Sequence, residues 1–385
     1  MLELDLERDE VVFGTNIKII GVGGAGGNAI NTMIENSLTG VEFIAANTDI
    51  SDLKKSFAKL KLQLGKEETG GLGAGADPEI GRKSADESRE DIKKHLKGAN
   101  MIFIAAGMGG GTGTGAAPVI AALAKEMEIL TIGIVSRPFK SEGRKRILNA
   151  EKGIKKLREI LDTLIVVPND KLRELYSDMT VIDAFKKADN ILYEAAKAVS
   201  DIIHSSGYIK VDFADVKTIM GNKGLALMGS ATEEGDERAR KAANSAMSNP
   251  LLSDIVLENC PGILINITVG KDFKMDEFEI ITSEVGNKAG NDADIITGII
   301  FDEEMHGKIK VTIIATGLIS NDDSIPELEK IDPFKDDTQE DLGTVLERIR
   351  SSQSNDLRRV NQRNQKDNAG NLQMDIPAFM RKFSN

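Results

Sequence analysis

From Asn16 to about Gly207, short apolar runs alternate with amphipathic segments of helical period. Ile17–Val22, Val41–Ala46, Met101–Ala106, Ile129–Val135 and Leu164–Val167 read as strands. Most are apolar at successive positions, the mark of burial on both faces. The intervening segments read as helices, and the alternation predicts an α/β fold with a parallel, doubly wound sheet. Thr180 opens a long helix that runs to Ser206 and stops at Gly207. Val181, Phe185, Ala188, Ile191, Leu192, Ala195 and Val199 follow its helical spacing. After a shorter helix, Asp215–Met220, strands (Gly262–Val269, Ile295–Phe301, Ile309–Thr316) mix with helices such as Asp236–Met247. This pattern predicts a smaller α/β domain packed on the long helix.

The expected divisions are a flexible segment 1–15, a nucleotide-binding domain 16–179, a central helix and acidic loop 180–221, and a smaller domain 222–320. From Asn321 the texture is polar and charged and predicts a disordered tether over 321–372. Within 373–385 the pattern changes again. Ile376, Phe379, Met380 and Phe383 fall on one helical stripe, with Asp375 placed to cap and Pro377 in the first turn. A stripe too short to fold alone, at the end of a tether, predicts a helix that forms in a partner's groove.

Charge narrows the function. Across 385 residues, 49 Lys+Arg face 61 Asp+Glu, and the net −12 disfavours general nucleic-acid binding. The single cysteine, Cys260, leaves no disulfide framework and no multi-thiolate site within one chain. His95, His204 and His306 lie far apart without metal-ligand spacing, so no protein ligand to a metal is assigned. An acidic start and the lack of a long apolar run predict a soluble, cytoplasmic protein without membrane insertion.

The candidate chemistry lies in glycine-rich loops. Gly109-Gly110-Gly111-Thr112-Gly113-Thr114-Gly115 joins the Met101–Ala106 strand to a helix-like run, Ala116–Glu128. Such a loop lets a bulky anion approach main-chain N–H groups, and the following helix adds its positive end. Gly21-Val22-Gly23-Gly24-Ala25-Gly26 matches GxGxxG between a strand and a helix expected near Asn28, with Asp49 further on. Alone, that motif also suits an NAD-dependent oxidoreductase, and Tyr193 with Lys197 has the Tyr-xxx-Lys spacing of short-chain reductases. A dinucleotide fold needs one phosphate loop, however, and two loops converging on one anion suit a triphosphate better. No GxxxxGK[ST] occurs, so a P-loop NTPase is excluded. Thr69–Pro78 is a third glycine-rich loop, holding Gly73, Ala74 and Gly75, able to order around a γ-phosphate. Phe185 and Asp189, four apart on the long helix, offer a ring for stacking and a carboxylate to accept from guanine N1–H and the 2-amino group.

The segment Ala106-Gly107-Met108 through Pro118 resembles the signature loop of the tubulin/FtsZ superfamily. The rest of the chain, from roughly residue 15 to 320 and again at Asp375-Ile376-Pro377-Ala378-Phe379, resembles the FtsZ branch, the bacterial division GTPases. That resemblance implies a tubulin-like fold, GTP/GDP with Mg²⁺, and head-to-tail filaments forming a division ring at mid-cell. It implies phosphate contacts from Gly23, Gly24, Ala25, Gly26, Gly27 and Asn28, from Gly73 to Gly75, and from Gly107 and Gly110 to Gly115. Glu142 and Arg146 would lie at the ribose and guanine side, with Phe185 and Asp189 on the base. Asp212 and Asp215 would complete the site of a neighbouring subunit. Helix length agrees, because about 18 residues from Asp189 to Gly207 span about 27 Å. The Asp375–Phe383 peptide would bind membrane-tethering and regulatory division proteins. Two positions depart from the family pattern: Lys210 stands where Asn is usual, and Ser141 where Phe is usual.

Overall fold

The computed structural model describes residues 15–175, 180–204, 211–221, 224–252, 257, 260–290 and 293–318. Expectations on Ser206, Gly207 and Lys210, on the tether, and on the Asp375–Phe383 peptide fall outside these residues.

Strands β1 (Ile17–Val22), β2 (Val41–Asn47), β3 (Leu60–Gln63), β4 (Met101–Gly107), β5 (Leu130–Arg137) and β6 (Thr163–Pro168) form a parallel array in the order β3-β2-β1-β4-β5-β6. β1 and β4 are almost wholly enclosed, as their largely apolar runs require; the one charge, Lys18 of β1, donates to the His95 carbonyl and pairs with Glu42. Helix α1 (Gly23–Glu35) follows β1, and the short α2 (Ile50–Lys55) follows β2. Three more, α3 (Lys66–Thr69), α4 (Pro78–Glu87) and α5 (Arg89–Leu96), lie between β3 and β4. Then come α6 (Thr112–Glu126), α7 (Arg144–Ile160), α8 (Asn169–Leu175), the long α9 (Val181–His204) and α10 (Phe213–Met220).

One face of the array packs Ile20, Ile44, Ile102 and Ile104 against Ile92, Leu96, Ile120, Leu123 and Leu157 of α5, α6 and α7. The other packs Ile19, Met101, Phe103 and Ile132 against Ala29 and Met33 of α1, Leu192 and Val199 of α9, and Val216 and Met220 of α10. Each such Ile, Leu or Phe contributes about 1.5–3 kcal/mol on full burial.

The second half continues the sheet. β7 (Gly224–Glu234) pairs parallel with β6 through Thr163↔Gly224, Leu164↔Leu225 and Ile165↔Ala226. β10 (Lys308–Leu318) lies antiparallel between β7 and β8 (Gly262–Val269), and β9 (Asp294–Phe301) closes the edge. Helices α11 (Arg238–Met247) and α12 (Met275–Ala289) cover this half through Ala242, Ala246, Ile281 and Val285. The pattern of the chain missed β3 and β7. β3 has four residues and holds a lysine between its leucines; β7 carries two Gly, two Ala and two Glu, and its place comes from pairing, not propensity.

Two helix starts also differ from expectation. α1 begins at Gly23, not near Asn28, and α6 begins at Thr112, not Ala116. In both cases the glycine motif itself forms the first turn. Glycine weakens a helix in isolation, but here sterics demand it: a Cβ on Gly26 would strike the Ala105 carbonyl of β4.

Candidate nucleotide-binding site

The C-terminal ends of β1, β2, β4 and β5 open into a cleft of about 590 Å³, large enough for a nucleotide. Two helices aim their N-termini into it. α1 starts at Gly23, whose φ of +75° turns the chain out of β1. α6 starts at Thr112 after Gly109, whose φ is +101°. Neither helix has a side-chain cap, and neither carries an acid in its first turn. Their free N–H groups and positive ends therefore face the same space, the requirement for a bound phosphate chain.

Gly23, Gly24, Ala25 and Asn28 line this cleft from α1, and Gly107, Gly110, Gly111, Thr112 and Gly113 line it from the β4–α6 junction. The Thr112 and Thr48 hydroxyls bond at 2.7 Å, tying the α6 start to the end of β2. Gly73 and Gly75 close the cleft from the loop before α4, where Gly73 N–H donates to the Thr48 carbonyl at 3.3 Å. In that loop Ala76 holds a φ of +60°, a strained value for a residue with a Cβ.

At the opposite wall stand Glu142, Arg146, Phe185 and Asp189. The Glu142 carboxylate accepts from Phe139 N–H at 2.9 Å and from Arg146 Nη1 at 2.7 Å, which fixes both side chains at the mouth of α7. Phe139 meets Phe185 edge to face, centroids 5.3 Å apart, leaving the Phe185 ring 43% exposed for a flat ligand. Burial pushes the Asp189 carboxyl up to about 7. Asn169 is buried at the same wall and its Oδ1 has no partner among the described residues, so it presents an unused acceptor there. An aromatic plate, a carboxylate and an unused amide acceptor together fit a base rich in N–H donors, such as guanine.

Five expected residues, Gly26, Gly27, Ala74, Thr114 and Gly115, do not line the cleft. Gly26 abuts β4, and Gly27 faces a neighbouring polar pocket. Ala74 is buried beneath Gly111. Thr114 Oγ1 accepts from Gly109 N–H at 2.8 Å and so shapes the loop from within. Gly115 lies against the Pro78 carbonyl of α4, since any side chain there would drive the two helices apart. Other residues were not marked by motif. Thr48, Asp52, Ser136 and Asn169 line the cleft, yet they are single polar residues that only the fold brings together.

Asp212 and Asp215 are exposed and do not line the cleft. Asp212 is the N-cap position of α10, with no side-chain cap bond. The C-terminal residue of α10, Met220, accepts from the Thr163 hydroxyl at the start of β6, while the cleft lies at the strands' other ends. Of the reductase-like pair, Lys197 Nζ is bonded to Asp201 at 2.6 Å, and neither Tyr193 nor Lys197 lines the cleft.

The state of Asp189 yields a prediction with two signs. A carboxyl raised above its unfolded value favours the fold most below about pH 4, and that contribution is lost as pH rises through about 7. Asp189→Asn should therefore melt several degrees above wild type at pH 8 without nucleotide. The carboxylate accepts two N–H donors with charge assistance, whereas protonation turns one oxygen into a donor, so wild-type affinity for a guanine nucleotide should fall as pH drops below about 7. The Asn variant should bind about 10–100-fold more weakly, the worth of a charged hydrogen bond. Melting curves and equilibrium titrations across neutral pH check both.

Comparison with known proteins agrees with this geometry. Residues 16–177 match the Tubulin/FtsZ family, GTPase domain, and residues 224–319 match the FtsZ family, C-terminal domain. The chain is 50% identical over 311 residues to the cell division protein FtsZ of Pseudomonas putida, covering 80% of this chain and 78% of that one. To the same protein of Coxiella burnetii it is 44% identical over 375 residues, covering 95% and 96%. Among solved structures it resembles an empty FtsZ dimer of M. jannaschii, with TM-score 0.76 and 39% identity over 79% of this chain and 88% of that one. With two uncapped helix ends, a base wall and both family domains in one chain, the molecule belongs to the FtsZ family of tubulin-related cell-division GTPases.

Proposed function

We propose that the chain assembles head to tail into filaments, hydrolyses GTP at the joints between subunits, and forms a ring at the division site. One observation carries this reading. The exposed Asp212 and Asp215 belong to a helix whose far end abuts the start of β6, while the cleft opens at the strand ends opposite. A second subunit whose α10 end faces the cleft supplies the missing carboxylates. The contact joins unlike surfaces, and its repetition without closure makes a filament. The solved M. jannaschii relative is described as a dimer, in keeping with self-association.

In this mechanism the Gly23–Asn28 turn and the Gly107–Gly113 loop hold the phosphates, and Gly73 and Gly75 order around the γ-phosphate. Phe185 and Asp189 read the base, with Glu142 and Arg146 at the ribose side. Asp212 and Asp215 of the next subunit position the attacking water in line with the γ-phosphate. Mg²⁺ supplies charge neutralisation on the phosphates. Asp49 and Asp52 are the carboxylates lining that side of the cleft, and Asp49 Oδ1 already accepts from Ser51 N–H at 2.7 Å and from its hydroxyl, which leaves Asp52 the freer of the two to face a bound cation. The Asp375–Phe383 peptide recruits tethering and regulatory partners, which keeps the filament in the cytoplasm yet at mid-cell. No helix among the described residues is long and apolar enough to cross a membrane.

Light scattering on adding GTP tests assembly. Scattering should rise only above a threshold protein concentration and decay as GTP is consumed. A signal that never rises at any concentration contradicts the filament reading.

A further inference from the structure

A carboxylate stands where a phosphate site should exclude one. α1 lacks any acid in its own first turn, yet Asp52, from α2, lines the cleft beside it. Its Oδ2 lies 3.4 Å from where a Cβ on Gly24 would sit, against the second residue of α1. Its Oδ1 is bonded to Lys55 Nζ at 3.1 Å, and because the lysine is largely exposed the pair offsets only part of the charge. Asp49, the other acid nearby, is occupied in capping α2. Asp52 also borders a polar pocket of about 250 Å³ lined by Asn28, Asn31, Asn47 and Lys55, with room for a hydrated cation next to the phosphate site.

We propose that Asp52 makes this site select the magnesium complex of its nucleotide over the free nucleotide. A metal-free diphosphate carries two more negative charges than its magnesium complex. A fixed carboxylate at the α1 N-terminus repels both forms, and the free form more strongly. Lys55 works in the opposite sense, drawing Asp52 partly away from the phosphates. The inference rests on the nucleotide site assigned above and adds a residue that governs which ionic form enters it.

Equilibrium binding of GDP to the full chain, with Mg²⁺ and with EDTA, tests this without turnover or assembly. Asp52→Asn keeps the shape and removes the charge. It should tighten GDP binding in EDTA by about three- to tenfold and change it less than about twofold in Mg²⁺. Lys55→Gln should weaken binding in EDTA more than in Mg²⁺, and Asp52→Glu should keep the wild-type ratio. Raised salt should shrink all of these differences. Asp52→Asn shifts that are equal in the two buffers, or absent from both, would overturn the proposal, with melting curves showing that the variant is folded. If wild type bound no GDP in either buffer, the nucleotide-site assignment itself would fail, which is a different outcome.

Discussion

Asp215→Ala should lower GTP turnover by about 10²–10³-fold while each subunit binds GTP as wild type does. Asp215 is exposed on the first turn of α10 and touches no part of its own subunit's cleft. Removing it therefore leaves the phosphate loops and base wall intact. Asp212→Ala should behave alike. Its side chain makes no cap bond, so the loss of stability should stay below the ~1 kcal/mol usual for an N-cap. The informative experiment mixes variant and wild type. Each variant subunit binds GTP, joins a filament and spoils its neighbour's site, so turnover in equal mixtures should fall below the wild-type contribution alone. If mixtures simply average, the carboxylates act within their own subunit.

The second large effect is expected at Gly113. A Cβ there would lie 2.6 Å from the Gly107 carbonyl oxygen and 3.3 Å from that of Val22. Both are backbone atoms at the strand ends that carry the two phosphate loops, so neither can give way as a side chain can. Gly113→Ala should lower the melting temperature and weaken nucleotide binding more than about 100-fold, because both helix N-termini are displaced together. Gly110→Ala separates fold from ligand. Among the described residues nothing lies within 4 Å of its Cβ position, yet the residue lines the cleft. Its melting temperature should match wild type while its nucleotide affinity falls. Wild-type affinity in both variants would show that the β4–α6 junction does not hold the phosphates.

The parallel half of the fold was legible because strands enclosed on both faces must be largely apolar, as β1, with Lys18 its one charge, and β4 are. β7 was not, since Gly224–Glu234 is held by partners on both sides and not by its own preferences. Glycine motifs marked the loops that line the cleft but not which of their glycines face it. Gly26 is glycine because β4 passes close by, and Gly115 because α4 does, whereas at Gly110 no described residue comes near. The base wall was half visible. Phe185 and Asp189 share a helix face, so spacing revealed them; Asn169 comes from the β6–α8 junction and only folding brings it beside them. Asp52 gave no signal either, as its meaning depends on where α1 begins.

The most direct test of interface catalysis is GTP turnover per subunit as a function of protein concentration. If the next subunit's α10 completes each site, turnover per subunit should vanish below a threshold and rise to a plateau above it. The threshold should coincide with that for light scattering, and Asp215→Ala should keep the scattering threshold without the plateau in turnover. Constant turnover per subunit down to high dilution would contradict the account.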